Sequence, residues 1–229
     1  MLSEALSYPR NGDNWLKTIA IGGVLTLLSF LIVPIFLVQG YFMRILRSAV
    51  RGEAGAPEFD EWMDLLTEGL MSFVIALVYV GIPGIIFTVG MFVLGFGAVA
   101  GAQTGSSGLM AGLGIVGLLF GLVMFVVLLL AGYVVPAAMA NFATKQSFGA
   151  GFEFGTVMSI ALTSDYLVAW LLAIVVSIVL GTIAGMLTAI LVGIFLLFYV
   201  QMMVYYLYGR GYANAQETTG PRPTAQTAD

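Results

Sequence analysis

From Tyr166 to Tyr208 the chain runs for 43 residues without one Asp, Glu, Lys, Arg or His. As a single helix rising 1.5 Å per residue, that tract would measure roughly 65 Å, about twice the hydrocarbon thickness of a bilayer. Tilt cannot absorb such an excess. The tract therefore reads as two crossings, 166–184 and 187–208, with the break near Gly181-Thr-Ile-Ala-Gly185. The alternative is a single crossing with an interfacial helix, which would leave four crossings and change the sidedness. Three further apolar stretches, 19–38, 70–100 and 109–140, carry Pro34, Pro83 and Pro136 and read as one crossing each. The expected fold is an all-α, polytopic membrane helix bundle of about five transmembrane helices in a single domain, residues 1–209.

Composition supports that class. The chain is 60% hydrophobic and 9% charged, against roughly 45–50% and about 25% for a soluble domain. So few polar residues could not cover a soluble core of this size. Trp15, Tyr166, Trp170, Tyr199, Tyr205, Tyr206 and Tyr208 fall at helix ends, where amphipathic rings settle at a membrane interface. Residues 1–17 carry Glu4 ahead of any base and lack a small-residue cleavage site, so they read as a native N-terminal segment. The polar, Pro-containing stretch 210–229 reads as a disordered tail.

Several chemistries are excluded. With no Cys and no His, disulfides, thiol chemistry and the usual zinc sites are out. Ser and Thr are plentiful, but no base stands ready to activate one. No glycine-rich phosphate loop follows a strand, and eight basic residues are too few for nucleic-acid binding. Beyond their interfacial edges the spans hold no Asp, Glu, Lys, Arg or His, which argues against ion-coupled transport. No catalytic residue, metal ligand or cofactor is expected; Gln39, Gln103, Asn141 and Gln201 read as helix-packing contacts.

Half of the twelve acids lie between Glu53 and Glu68. Just before them Arg44, Arg47 and Arg51 recur at i, i+3 and i+7, one helical face. Gly52–Ala56 is a turn by composition. Pro57 suits the first position of a second helix, with Glu58, Asp60 and Glu61 at its positive end. On that helix Phe59, Trp62 and Leu66 would share one face, and Asp60, Asp64 and Glu68 another, with Glu61 beside them. The expected device is an interfacial amphipathic helical hairpin over 41–69. Arg51 would face Asp60 or Glu61, Arg47 would face Asp64, and Arg44 would face Glu68. The acids lack the ligand spacing of a calcium loop.

With five crossings, Arg44, Arg47, Arg51, Lys145, Arg210 and Arg222 share one side and only Arg10 and Lys17 the other. By the positive-inside rule the hairpin and C-terminus would be cytoplasmic and the N-terminus outside, in a multi-pass cell-membrane protein. Gly97/Gly101, Gly108/Gly112, Gly117/Gly121 and Gly181/Gly185 have the spacing for close helix packing, within the bundle first and in a homo-oligomer second. Val33-Pro34 followed by Glu58-Phe59 is echoed by Val135-Pro136 followed by Glu153-Phe154, as in a duplicated unit.

The runs YPRNGDNWLKTIAIGG, VPIFLVQGYFMRILRSAVRGE and PEFDEWMDLLTEGL resemble the archaeal, mainly haloarchaeal, integral-membrane family 4013 of domains of unknown function. Tyr8, Pro9, Gly22, Gly23, Pro34, Gly40, Tyr41, Arg44, Arg47, Gly52, Glu53, Pro57, Phe59, Trp62 and Gly69 carry the likeness, which is strongest over 8–80. The resemblance implies a polytopic membrane protein and brings no activity or site residues. The expected function is a non-enzymatic membrane scaffold or partner-docking subunit. Its partners would be the bilayer and a protein at the 41–69 hairpin, through Arg44, Arg47, Arg51, Phe59, Asp60, Glu61, Trp62, Asp64 and Glu68. The alternative is a passive transporter or channel-like protein for a small or lipophilic solute.

Overall fold

The computed structural model describes residues 1–219 and is helical almost throughout. In chain order the helices are α1 (Leu2–Ser7), α2 (Trp15–Leu27), α3 (Val33–Val50), α4 (Trp62–Ala76), α5 (Ile82–Gln103), α6 (Ser107–Lys145), α7 (Phe154–Ala161), α8 (Ser164–Met186) and α9 (Val192–Thr219). A π turn, Leu77–Gly81, joins α4 to α5, and short 3-10 turns follow α1, α2 and α8. Five helical stretches are long and apolar enough to cross a bilayer: Val33–Val50, Trp62–Gln103, Ser107–Lys145, Ser164–Ile190 and Val192–Thr219. The described residues form two compact units, one of Met1–Phe73 with 136–219, the other Val74–Val135.

The stretch expected as one crossing over 19–38 is two helices. The chain turns at Ile32 (φ 67°, ψ −56°), after the 3-10 turn Leu28–Leu31. A left-handed residue cannot continue a right-handed helix, so α3 departs in a new direction and Pro34 sits in its first turn, where a missing N–H costs nothing. The same device recurs after α8: a 3-10 turn, Leu187–Ile190, then Leu191 at φ 61°, then α9. The tract from Tyr166 to Tyr208 thus divides at Leu187–Leu191, and Gly181–Gly185 lies inside α8.

A β-branched side chain at positive φ is a true outlier, and such conformations cost about 1–3 kcal/mol. Ile32 carries that strain on an exposed turn, so glycine should relieve more than its own chain entropy costs. Ile32→Gly is expected to raise the melting temperature in detergent by roughly 2–4 °C, the equivalent of about 1 kcal/mol at this size.

In the first unit α2, α3 and α8 pack around α9. Phe42 of α3 stacks on Phe198 and Tyr205 of α9, at 5.6 and 4.5 Å between ring centres. Farther along both helices Gly209 lies against Leu46 and Ala49. The pairs rise together, so α3 and α9 run parallel from Ile32 and Leu191 toward their C-termini. Gly22 and Gly23 of α2 leave room for the rings of Phe198 and Phe195.

The closest crossing is α3 on α4. A Cβ on Gly40 would stand 2.6 Å from the Leu65 carbonyl carbon, and one on Gly69 would stand 2.9 Å from the Gly40 nitrogen. The glycines singled out by spacing do less. Gly108, Gly112, Gly121, Gly181 and Gly185 have nothing within 4 Å, while Gly97, Gly101 and Gly117 meet only leucine or methionine side chains.

The tail reading is corrected for residues 210–219, which continue α9; residues 220–229 lie outside the described residues. Tyr212, Ala213 and Ala215 are buried and Gly211 packs on Ala169 of α8, so tertiary contacts hold a segment whose composition is polar.

The second unit is a helical hairpin turning at Thr104–Ser106. Ser106 N–H bonds back to Gly101 and Gly105 N–H to Ala102, with Gly105 at φ 69°. Phe87 stacks on Phe120 between its two helices. Phe92, Val93, Phe96, Leu118, Leu122 and Phe125 are more than half exposed, a broad apolar surface.

Candidate functional site

The charged residues singled out from sequence converge in the first unit, in a different register from the expected hairpin. α3 does not stop at Tyr41 to start a separate helix; Tyr41–Val50 is its second half. A cap with Gly52 at φ 75° ends it, Gly52 N–H bonding to Ala49 and Glu53 N–H to Ser48. The chain then runs back along α3 as a loop and enters α4 only at Trp62, after Glu61 at φ 45°. Pro57 and Phe59 are loop residues, not helical ones. Pro57 offers its carbonyl to the Tyr41 hydroxyl at 2.9 Å, and Phe59 stacks on the Tyr41 ring at 4.0 Å and on Trp62 at 5.9 Å.

Because the loop doubles back, the ion pairs shift. Arg44 holds Asp60 and Glu61, and also donates to the Glu61 carbonyl at 3.4 Å. Arg47 pairs with Glu68 at 2.5 Å and donates its Nε–H to the Ala143 carbonyl at 2.8 Å. Arg51 is half out in solvent, 3.9 Å from Glu53. Asp64 makes no ion pair among the described residues. Phe59, Trp62 and Leu66 do not form one apolar helical face. Leu65 is the buried residue of this turn, and Trp62 is 46% exposed.

A second polar cluster was not read from sequence. Asn141 is fully buried. It donates to the Ala150 carbonyl at 2.8 Å and to Glu153 at 3.3 Å, and accepts from the Tyr212 hydroxyl at 2.8 Å. Lys145 pairs with Glu153. The signal available was the polar pair Asn141 and Glu153 beside an apolar stretch, but its partner Tyr212 lay in a segment read as disordered. Gln39, read as a packing contact, donates to the Tyr205 hydroxyl at 3.2 Å.

Glu153 is held below the usual carboxylate range, first by the hydrogen bond from Lys145 and then by that from Asn141. A lowered folded value means that its stabilising contribution is present above the unfolded value of about 4.3 and is lost as pH falls through the folded one. Wild type should therefore melt higher than Glu153→Gln at pH 7. The gap should close as melts are repeated toward pH 3.

Both ends of the described chain reach this region. Asn11 donates to the Ala54 carbonyl at 3.0 Å, Asn14 to Glu58 at 2.7 Å, and the Tyr8 hydroxyl to Ser48 at 3.0 Å. Burial pushes the Tyr8 phenol upward, so it stays a neutral donor. Tyr199 donates to the Leu6 carbonyl at 2.9 Å, and Thr218 to Asp165 at 3.0 Å. The N-terminal segment and the last described turns of α9 thus lie together at the end of the first unit remote from the turns at Ile32 and Leu191. The turn at Ile32 supplies the extra helix that brings them together.

The proposed echo is partial. In both halves a base late in one helix meets an acid ahead of the next, Arg44 with Asp60 and Lys145 with Glu153. Pro34, however, opens a helix, whereas Pro136 lies inside one.

No curated protein and no solved structure matches this chain. A family model described as protein of unknown function, DUF4013, matches residues 27–190. The match takes in the helices beyond residue 80, where the likeness read from sequence was diffuse, and includes Gly40, Gly69, Arg44, Arg47, Asn141 and Glu153. The chain, matched over well over half its length and built as an all-α bundle of apolar helices, belongs to the DUF4013 family of proteins of unknown function.

Proposed function

We propose that the chain is a non-enzymatic integral membrane protein that docks a basic partner segment on its charged end. One observation carries this reading: an exposed acidic patch with an aromatic centre, Glu58, Asp60, Glu61, Trp62 and Asp64, stands on the loop braced by Asn14 and Tyr41 and on the first turn of α4. Asp60 and Glu61 are 67% and 69% exposed although both face Arg44, so their outer oxygens remain open to a partner. Purification in mild detergent should retain a stoichiometric protein through a basic segment. Trp62→Ala with Asp64→Asn should release it, as should molar salt, where the screening length is about 3 Å. Solute flux through the protein alone in liposomes would defeat this reading.

The passive-carrier alternative has its own observation, an apolar cavity of about 500 Å³ between the N-terminal segment and α8/α9, lined by Leu180, Ile183, Leu196, Val200 and Met203.

We further propose that the charged end stays on one face of the membrane. Val33–Val50 is long enough overall, but Arg44 and Arg47 lie within it, leaving eleven uncharged residues between Ile32 and Arg44, about 16 Å of helix against a hydrocarbon core of about 30 Å. The α2–α3 pair would then dip into the bilayer and return. The chain lacks cysteine, so single cysteines at Ser3, Ala54, Ser107 and Thr218 report sidedness directly. Ser3, Ala54 and Thr218 should label from one face and Ser107 from the other. Labelling of Ser3 from the face opposite Ala54 would sink this arrangement.

A further inference from the structure

Among the described residues, two buried side-chain polar atoms lack a hydrogen-bond partner, Glu68 Oε2 and Arg210 Nε, and each belongs to a residue lining a cavity. Buried polar atoms are satisfied in the great majority of cases, so an orphan needs a reason. The Arg210 cavity is the larger, about 360 Å³ against 230 Å³, and lies within the size range of small-molecule sites. It is a cleft lined by α1, Asn11, the turn at Gly52–Ala54 and α9.

The charges around it are mixed and loosely engaged. Arg210 makes no ion pair among the described residues, and its guanidinium rests over Gly52, where a Cβ would be 3.5 Å from Nη1. Glu53 lines the cavity and has only Arg51 at 3.9 Å. Glu4 lines it too, 3.3 Å from the N-terminal ammonium. A simple anion here would meet two carboxylates, and a simple cation would meet Arg210 and leave its Nε bare. A neutral solute would satisfy neither. A molecule with a carboxylate for the guanidinium fork and an ammonium for the acids satisfies both.

We propose that this cavity binds a small zwitterion of amino-acid type, its carboxylate on Arg210 and its ammonium on Glu4 and Glu53. The site is independent of the docking reading, since it uses neither Trp62 nor Asp64.

The test is thermal melting of the purified full chain in detergent with glycine, 4-aminobutyrate and 6-aminohexanoate, which vary the separation of the two charges. Butyrate and butylammonium serve as single-charge controls. At least one zwitterion should give a saturable rise of roughly 3 °C at ten times its dissociation constant. The rise should be absent in Arg210→Gln and in Glu53→Gln, and retained in Glu153→Gln. Glu53 lies in an exposed turn, so its variant decides the matter if Arg210→Gln does not fold. No response to any zwitterion, an equal response to butyrate, or an undiminished response in Glu53→Gln would overturn the proposal.

Discussion

Gly69→Leu should leave no folded protein. A Cβ at Gly69 falls on the Phe36 carbonyl and 2.9 Å from the Gly40 backbone nitrogen, so the obstruction is main chain and cannot rotate aside. Overpacking a core side chain costs about 1–3 kcal/mol because neighbours can adjust. Here α3 and α4 would have to separate, and Leu65, Arg47–Glu68 and the Phe36–Phe73 contact at 5.5 Å would go with them. The expected result is loss of the monodisperse peak on size exclusion, and Gly69→Ala, which adds the same Cβ, should also be severely destabilised. Gly181→Ala is the control. With nothing within 4 Å, it should be neutral or gain up to about 1 kcal/mol of helix propensity. If Gly69→Leu melts like wild type, the crossing is not as close as described.

The second large effect belongs to Arg47. Its side chain and that of Glu68 are only 14% and 16% exposed, and Arg47 also satisfies the Ala143 carbonyl. Removing one partner of a buried pair strands the other charge, at about 3–5 kcal/mol. Glu68 already has one oxygen without a partner, which makes the stranded carboxylate worse placed. Arg47→Met should therefore lower the melting temperature by roughly 10 °C or more. Arg47→Met with Glu68→Met should recover much of that loss, because the apolar pair leaves no buried charge. Asp64→Asn added to Arg47→Met should recover none, since Asp64 is not the partner. The opposite pattern would restore the register in which Arg47 faces Asp64.

What could be read from the chain alone divides along physical lines. Helical class and apolar spans followed from charge-free length, which is a one-dimensional property. The turns at Ile32 and Leu191 were not legible, because both use apolar residues at positive φ where sequence signals rest on Gly, Asn or Asp. The salt-bridge register depended on where α4 begins. Pro57 and the acids gave a helix-start signal five residues early, and the stacking of Phe59 on Tyr41 holds that segment as a loop instead. Gly40 and Gly69 are 29 residues apart in sequence, so no spacing rule pairs them. Tyr212, Asn141 and Glu153 meet only because α9 outlasts its apolar composition.

The positions of the charges bear on how such a chain enters a membrane. From Gly69 through Thr144 there is no Asp, Glu, Lys, Arg or His, and the turns at Ile32 and Leu191 have none beside them in sequence. If the charged end stays on the face where synthesis places it, biogenesis never has to drag a charge through lipid. The polar Gln103–Ser107 turn is then cargo without charge. A lysine placed at Gly105 should therefore slow insertion measurably in a membrane-integration assay, whereas a lysine at Gly149 should not.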